Sequence, residues 1–191
     1  MLVTLLGAVA RPGVYELEIG RPIGSVLEMA GGVEDGAARL LIGGYFGTFA
    51  PLEATRELPL SRAGLAPLGA SPGAGLLAVL PSTTCGLVET ARLARYLASE
   101  SAGQCGPCTF GLPAMAAELE SLATGGPFDP ARLDRWLAQV EGRGACSHPD
   151  GAVRVVRSAL RVFAAEVDRH RRGRCSAPTP RHVLPIPGWL G

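Results

Sequence analysis

Three cysteines in this chain of 191 residues have the spacing of a shared metal centre. Cys105 and Cys108 form a Cys-x-x-Cys pair within Glu100-Ser101-Ala102-Gly103-Gln104-Cys105-Gly106-Pro107-Cys108, and Cys146 follows 38 residues later. Gly and Pro inside the pair interrupt any helix, so the backbone must turn there. Such a turn lets two thiolates converge on one point, which is what a soft metal centre requires. The rest of the chain reads as the scaffold that carries Cys146 to the first pair.

The scaffold has the composition of a folded protein. Hydrophobic residues make up 47% of it and the mean hydropathy is +0.24, which leaves room for a real core and one or two domains. No apolar run reaches the ~18 residues that span a bilayer, and nothing at Met1 resembles a signal peptide. Direct membrane insertion is therefore not expected, and the expected location is the cytoplasm or the cytoplasmic face of a complex. The net charge of +1 gives no basis for a broad nucleic-acid surface. All basic residues are Arg, a bias that, with the 26 Gly and 16 Pro, we assign to the source genome. Five cysteines are an odd number, against a closed disulfide framework, and Cys-x-x-Cys without an export signal reads first as metal or redox.

In chain order, residues 2–9 are short, apolar and β-favouring, Ala10-Arg11-Pro12-Gly13 is a turn, and Val14 to Ile19 alternates as a half-buried strand does. Arg21 to Ala30 predicts a helix with Pro22 in its first turn and Gly31-Gly32 stopping it, Arg39–Ile42 a third strand, and Leu76–Leu80 a buried strand closed by Pro81. Hairpin, helix, strand, long connection and strand is the order of a small β-grasp sheet with a helix across one face. From Thr84 the period changes to 3.6. Helices are expected over 85–99, over 110–123, after the N-cap candidate Asp129, and after Asp150 as the cap of the last one. The fold class is α+β: a β-grasp domain (1–82), an antiparallel four-helix bundle (83–175) and an extended tail (176–191).

Two stretches carry a family resemblance. Gly7-Ala8-Val9-Ala10-Arg11-Pro12-Gly13-Val14-Tyr15-Glu16, with Gly31-Gly32 and Gly43-Gly44, resembles the soluble-ligand-binding β-grasp (SLBB) domain. Cys105-Gly106-Pro107-Cys108, then Cys146 with Asp150 four residues on, resembles the iron–sulfur-binding C-terminal region of the NADH-binding flavoprotein component of complex I and of related hydrogenases and formate dehydrogenases. That family has Ser-Cys-Gly-x-Cys-x-Pro-Cys, so Ala102 stands where its first cysteine is expected. The resemblance covers about residues 2–172. The NADH- and FMN-binding domain that precedes the β-grasp unit in the family has no counterpart before Met1, so the expectation is an electron-exit half without the hydride-accepting half.

The resemblance implies a 4Fe–4S cluster, which takes four protein ligands, usually thiolates. Cys105, Cys108 and Cys146 supply three. The fourth position falls to His148, to Ser101, to water or to an open iron site. His148 also reads as a residue that starts a helix and bonds nearby backbone. Gly103, Gln104 and Gly106 would hydrogen-bond the sulfurs and tune the potential, while Gly103 and Gly106 read equally as turn formers. Zinc is the alternative cofactor, since Cys105, Cys108, Cys146 and His148 make a Cys3His tetrahedral set. A metal-free relic is the third reading. The implied partners are a flavoprotein electron donor and a redox acceptor protein or membrane cytochrome, with no nucleic acid. A non-redox interaction module is the competing function.

In an up-down bundle, Cys85 starts the first helix and Cys175 follows the last. Both are then expected on the order of 20 Å from the Cys-x-x-Cys turn, beside one another as reduced thiols. The Gly43–Gly47 loop with Tyr45 and Phe46 reads as a small-ligand site or as packing. Arg169 to Arg174 reads as a solvated helix end or a docking patch for an acidic partner. His170 and His182 are expected to be solvated, and Trp136 to lie in the core.

Overall fold

The computed structural model describes residues 1–177 and 182–186. It divides into two compact units, Met1–Thr84 and Cys85–Gly191.

The first unit is a mixed sheet with a helix. Strands β1 (Leu2–Gly7) and β2 (Gly13–Glu16) form the expected antiparallel hairpin. Helix α1 (Ile23–Met29) follows Pro22, and β3 (Arg39–Ile42) lies antiparallel to β5 (Leu76–Leu80). The strand order is β2-β1-β5-β3-β4, with β1 and β5 parallel at the centre, the order a β-grasp sheet requires. Period-2 alternation sends Val3 and Leu5 of β1, Leu40 and Ile42 of β3, and Leu77 and Val79 of β5 into one core with Ile23, Val26 and Leu27 of α1. Each such side chain, fully buried, contributes roughly 1.5–3 kcal/mol.

One strand is additional to the sequence expectation. β4 (Thr48–Pro51) pairs antiparallel with β3. Four residues ending in Pro carry no readable alternation, so what makes this strand is the turn before it. A Cβ at Gly47 would lie 1.9 Å from the Ile42 carbonyl oxygen. Only a residue without one lets the chain double back so tightly. The connection to β5 contains a short helix, α2 (Arg62–Leu65), whose N-cap Ser61 accepts from the Gly64 N–H.

The second unit is helical: α3 (Gly86–Ser99), α4 (Leu112–Ala123), α5 (Pro130–Val140), α6 (His148–Val162) and α7 (Ala164–His170). Asp129 caps α5 as expected, accepting from the Ala131 N–H. The last helix, expected to be continuous, breaks at Phe163 into α6 and α7. The ring of Phe163 fills the place a Cβ would take on Gly86, where it would lie 2.2 Å from the ring. The expected core residue Trp136 is only half-buried.

α3 packs against α4, α6 and α7 and is buried on almost every side, including Glu89 and Arg92 at 1% and 4% exposed. Buried charge costs several kcal/mol per ion unless paired and hydrogen-bonded. Here Arg92 Nη1 donates to Glu89 Oε1 at 2.5 Å, and the Val183 and Leu184 N–H groups donate to Oε2 at 3.2 and 2.8 Å. His182 is exposed, as expected, and its Nδ1 sits 3.0 Å from Oε1. Leu184 and Ile186 are buried in turn, so one carboxylate anchors residues 182–186. The apolar stretch Pro187 to Leu190 lies outside the described residues.

Two substitutions test this packing. Glu89→Ala removes the carboxylate paired with a buried guanidinium and should cost about 3–5 kcal/mol, read as a lower urea midpoint, with Glu89→Gln costing less. Gly86→Ala should destabilise by roughly 1–3 kcal/mol through overpacking against Phe163, although alanine is the better helix former by ~1 kcal/mol. An unchanged midpoint for either would contradict the packing described.

Candidate metal centre

α3 ends at Ser99, and the Glu100 N–H closes its last turn on the Tyr96 carbonyl at 2.9 Å. Gly103 then has φ +64°, a left-handed conformation that costs a residue with a Cβ roughly 1–2 kcal/mol. Gly106 has ordinary helical dihedrals (φ −52°, ψ −46°) and open space at its Cβ position, so nothing local demands glycine there. Thr109 clips the loop shut: its N–H donates to the Cys105 carbonyl at 2.9 Å and its hydroxyl to the Gly103 carbonyl at 3.1 Å. Gln104 Nε2 donates to the Ala102 carbonyl at 3.2 Å. Pro107–Gly111 form a single π-helical turn leading into α4. Turns of this kind recur at functional sites because the extra residue re-aims side chains. A Cβ at Gly111 would lie 2.2 Å from Val140 Cγ2, so the end of α5 seats against the bare backbone and fixes where the turn lies.

The second arm runs from the end of α5 to the start of α6. Asp150, the expected cap of α6, sits inside its first turn, and Ser147 occupies the cap position. The Asp150 carboxylate accepts instead from the Gly142 N–H at 2.7 Å, tying down both ends of the loop that carries Cys146. His148 Nε2 lies 2.7 Å from the Leu97 carbonyl oxygen. A carbonyl only accepts, so Nε2 carries the hydrogen and donates. Leu97 belongs to the last turn of α3, so this bond joins the Cys146 arm to the Cys105 arm.

The sulfurs share one electrostatic neighbourhood. Cys105 Sγ accepts from the backbone N–H groups of Ala145 and Cys108, which hold its pKa below that of an ordinary thiol. Ala145 adjoins Cys146, so the first of these bonds again links the two arms. Burial pushes the Cys108 thiol up, helped by Cys105 and then Cys146 nearby, while the Gly103 N–H works in the opposite direction. Cys105 and Cys108 thus lie together beyond the C-terminal end of α3, with the Gly103 amide beside Cys108 and the exposed Cys146 within electrostatic reach of it. Gln104 is engaged with its own loop and His148 with α3.

A second cluster lies beyond the predicted site residues. Cys85, Glu166, His170 and Cys175 place their ligand atoms within 4.8 Å of one another. Cys85 and Cys175 stand side by side, as the bundle topology predicts. His170, expected in solvent, is 5% exposed. The signal in the sequence was the i, i+4 spacing of Glu166 and His170, which puts both on one helical face; the Arg residues around His170 hid it.

The two halves, a mixed sheet followed by helices that carry the cysteines, each match a known family over part of the chain. Residues 2–44 match the SLBB domain, and residues 88–170 match the NADH-ubiquinone oxidoreductase-F iron-sulfur binding region. The chain is similar to the F subunit of the NADH-quinone oxidoreductase of Streptomyces coelicolor, 31% identical over 178 residues, covering 91% of this chain and 39% of that protein. The corresponding protein of Salmonella typhimurium is 34% identical over 169 residues, covering 85% and 38%. Among solved structures, the NAD+-reducing NiFe hydrogenase in the H2-reduced state superposes with a TM-score of 0.77 at 27% identity, covering 88% of this chain and 29% of that one. The chain therefore spans about two fifths of the length of these curated relatives.

If Asp150 holds the Cys146 loop, Asp150→Ala should expose the Gly142 amide to hydrogen exchange and cost about 1 kcal/mol. Asp150→Asn should retain part of both. Unchanged exchange at Gly142 in Asp150→Ala would show the loop to be held by other means.

Proposed function

We propose that the chain is an electron-transfer module in which the thiolates of Cys105, Cys108 and Cys146, with His148 as fourth ligand, hold a 4Fe–4S cluster. The observation that carries this reading is the Cys105–Cys108 pair tied to the Cys146 arm through the Ala145 amide, inside the segment that matches an iron–sulfur-binding region. A cluster of this type, when bound, supplies one-electron transfer at a potential set by ligands, hydrogen bonds and exposure. The chain's own groups prepare for it. The Ala145 and Cys108 amides already donate to the Cys105 sulfur, so negative charge on that sulfur is stabilised before any metal arrives, and the Gly103 amide offsets part of the burial that disfavours it on Cys108. His148 donates Nε2–H to a carbonyl, which puts the lone pair on Nδ1. That is the tautomer and backing partner of a ligating imidazole.

The spacing of the sulfurs supports a multi-iron cluster over a single zinc. Among the described residues, the set gathered within 4.8 Å for one ion is the Cys85 group, and Cys105, Cys108 and Cys146 do not make such a set.

The proposed donor is a flavin carried by another chain or segment, and the acceptor a redox protein or a membrane cytochrome. Relatives named for the oxidation of NADH and the reduction of NAD+ support that placement. The module would work in the cytoplasm or on the cytoplasmic face of a complex. No helix among the described residues is long and apolar enough to cross a membrane. Beside the cysteine turn, Phe110 is 68% exposed next to a cleft of about 310 Å³ lined by Pro107, Trp136 and Val140, an apolar surface suited to the acceptor.

Ala102 favours a second reading, an interaction module that keeps the fold without a working cluster. Anaerobic reconstitution with iron and sulfide separates the two. Four irons and four sulfides per chain are expected, with a visible spectrum that bleaches on reduction, and a several-fold loss in Cys146→Ser and His148→Ala. Ala102→Cys should improve retention only modestly. A native chain that takes up no iron or sulfide, while Ala102→Cys takes up a full complement, would establish the interaction module instead.

A further inference from the structure

We propose that Cys85, His170, Cys175 and Glu166 form a structural zinc site at the end of α3 opposite the Cys105–Cys108 turn. The 14 residues of α3 separate the two places by about 21 Å along its axis, so this is a centre in its own right. Its ligands come from three points of the chain. Cys85 immediately precedes α3, Glu166 and His170 stand one turn apart on α7, and Cys175 follows within five residues of that helix.

The distances are those of a tetrahedral ion site before the ion arrives. With Zn–S near 2.3 Å and Zn–N or Zn–O near 2.0–2.1 Å, tetrahedral angles put sulfur about 3.6 Å from nitrogen and nitrogen about 3.4 Å from oxygen. Cys85 Sγ lies 3.4 Å from His170 Nε2, and His170 Nε2 lies 3.3 Å from Glu166 Oε1. All four ligand atoms fall within 4.8 Å of one another. No movement of the backbone is needed to close such a set around one ion.

The surrounding bonds aim the ligands. His170 Nδ1 is 3.2 Å from the Leu122 carbonyl oxygen, so Nδ1 bears the hydrogen and Nε2 points its lone pair at the cluster, the arrangement that orients ligating histidines. Glu166 Oε1 accepts from the Ser176 N–H at 2.8 Å, and Oε2 accepts from Arg169 at 3.1 Å. The Ala177 N–H donates to Cys175 Sγ at 3.4 Å. Phe163, seated on Gly86, sets the break that brings α7 alongside Cys85.

The chemistry of the set selects the metal. Two thiols and an imidazole suit a borderline-soft ion and disfavour magnesium or calcium, while four protein ligands leave no open position for catalysis. Cys85, Glu166 and His170 are buried, and Cys175 is exposed at the rim. A cleft of about 280 Å³ between Ala123–Gly125 and Gly173–Cys175 reaches His170 and gives an ion its way in. The bound ion would pin together the start of α3, α7 and the segment leading toward the residues anchored on Glu89.

The test uses the full chain and its Cys105→Ser/Cys108→Ser variant, which removes the other centre. Elemental analysis after zinc loading should find one zinc per chain in both, and cobalt in its place should give thiolate-to-metal charge-transfer bands in both. Cys175→Ser and His170→Gln should each weaken zinc binding by at least ~10-fold, since even loss of an outer-shell partner costs 10–100-fold. Cys175 is exposed, so its replacement leaves the core intact. Zinc content that ignores Cys175→Ser and His170→Gln, cobalt without charge-transfer bands in the native chain, or a Cys85–Cys175 disulfide in protein isolated under reducing conditions would each overturn the assignment.

Discussion

A helix surrounded on nearly every side can present chemistry only at its ends, and α3 is such a helix. Its flanks are occupied by α4, α6 and α7. Its buried charged pair, Glu89 with Arg92, is spent on holding residues 182–186. What remains available are the loop that leaves its C-terminus and the residue that precedes its N-terminus. Cysteines stand at both places, Cys105 and Cys108 beyond one end and Cys85 before the other.

Each end is completed by an arm from elsewhere. At the C-terminal end the completing segment is the loop before α6, tied by His148 to the Leu97 carbonyl and by the Ala145 amide to the Cys105 sulfur. At the N-terminal end it is α7 and the residues after it, directed there by the break at Phe163. The two ends differ in what they can hold. The first gathers thiols with amide donors around them. The second gathers sulfur, nitrogen and oxygen donors as closely as one ion requires.

Glycine enters both ends for steric reasons of different kinds. Gly103 supplies a left-handed turn, whereas Gly86 and Gly111 supply bare backbone for Phe163 and Val140 to rest on. The first shapes a loop. The other two let separate helices approach, and so decide where a site is assembled.

Local pattern alone fixed a good deal here. Period-2 alternation revealed the second strand of the hairpin, short apolar β-favouring runs revealed β1, β3 and β5, and period 3.6 revealed the helices; the Cys-x-Pro-Cys turn with Cys146 and Asp150 lies in the segment that the iron–sulfur-region match covers. These features depend on neighbours in sequence, which is why they could be read there. Tertiary structure decided the rest. β4 exists because Gly47 allows a turn onto β3, Asp150 serves Gly142 in place of a helix cap, and His182 is held by a carboxylate 93 positions away. His170 looked like part of a solvated basic helix end, yet Leu122, Cys85 and Glu166 enclose it. Burial and the partners of a polar group depend on which distant segments arrive beside it, and no window of sequence contains them.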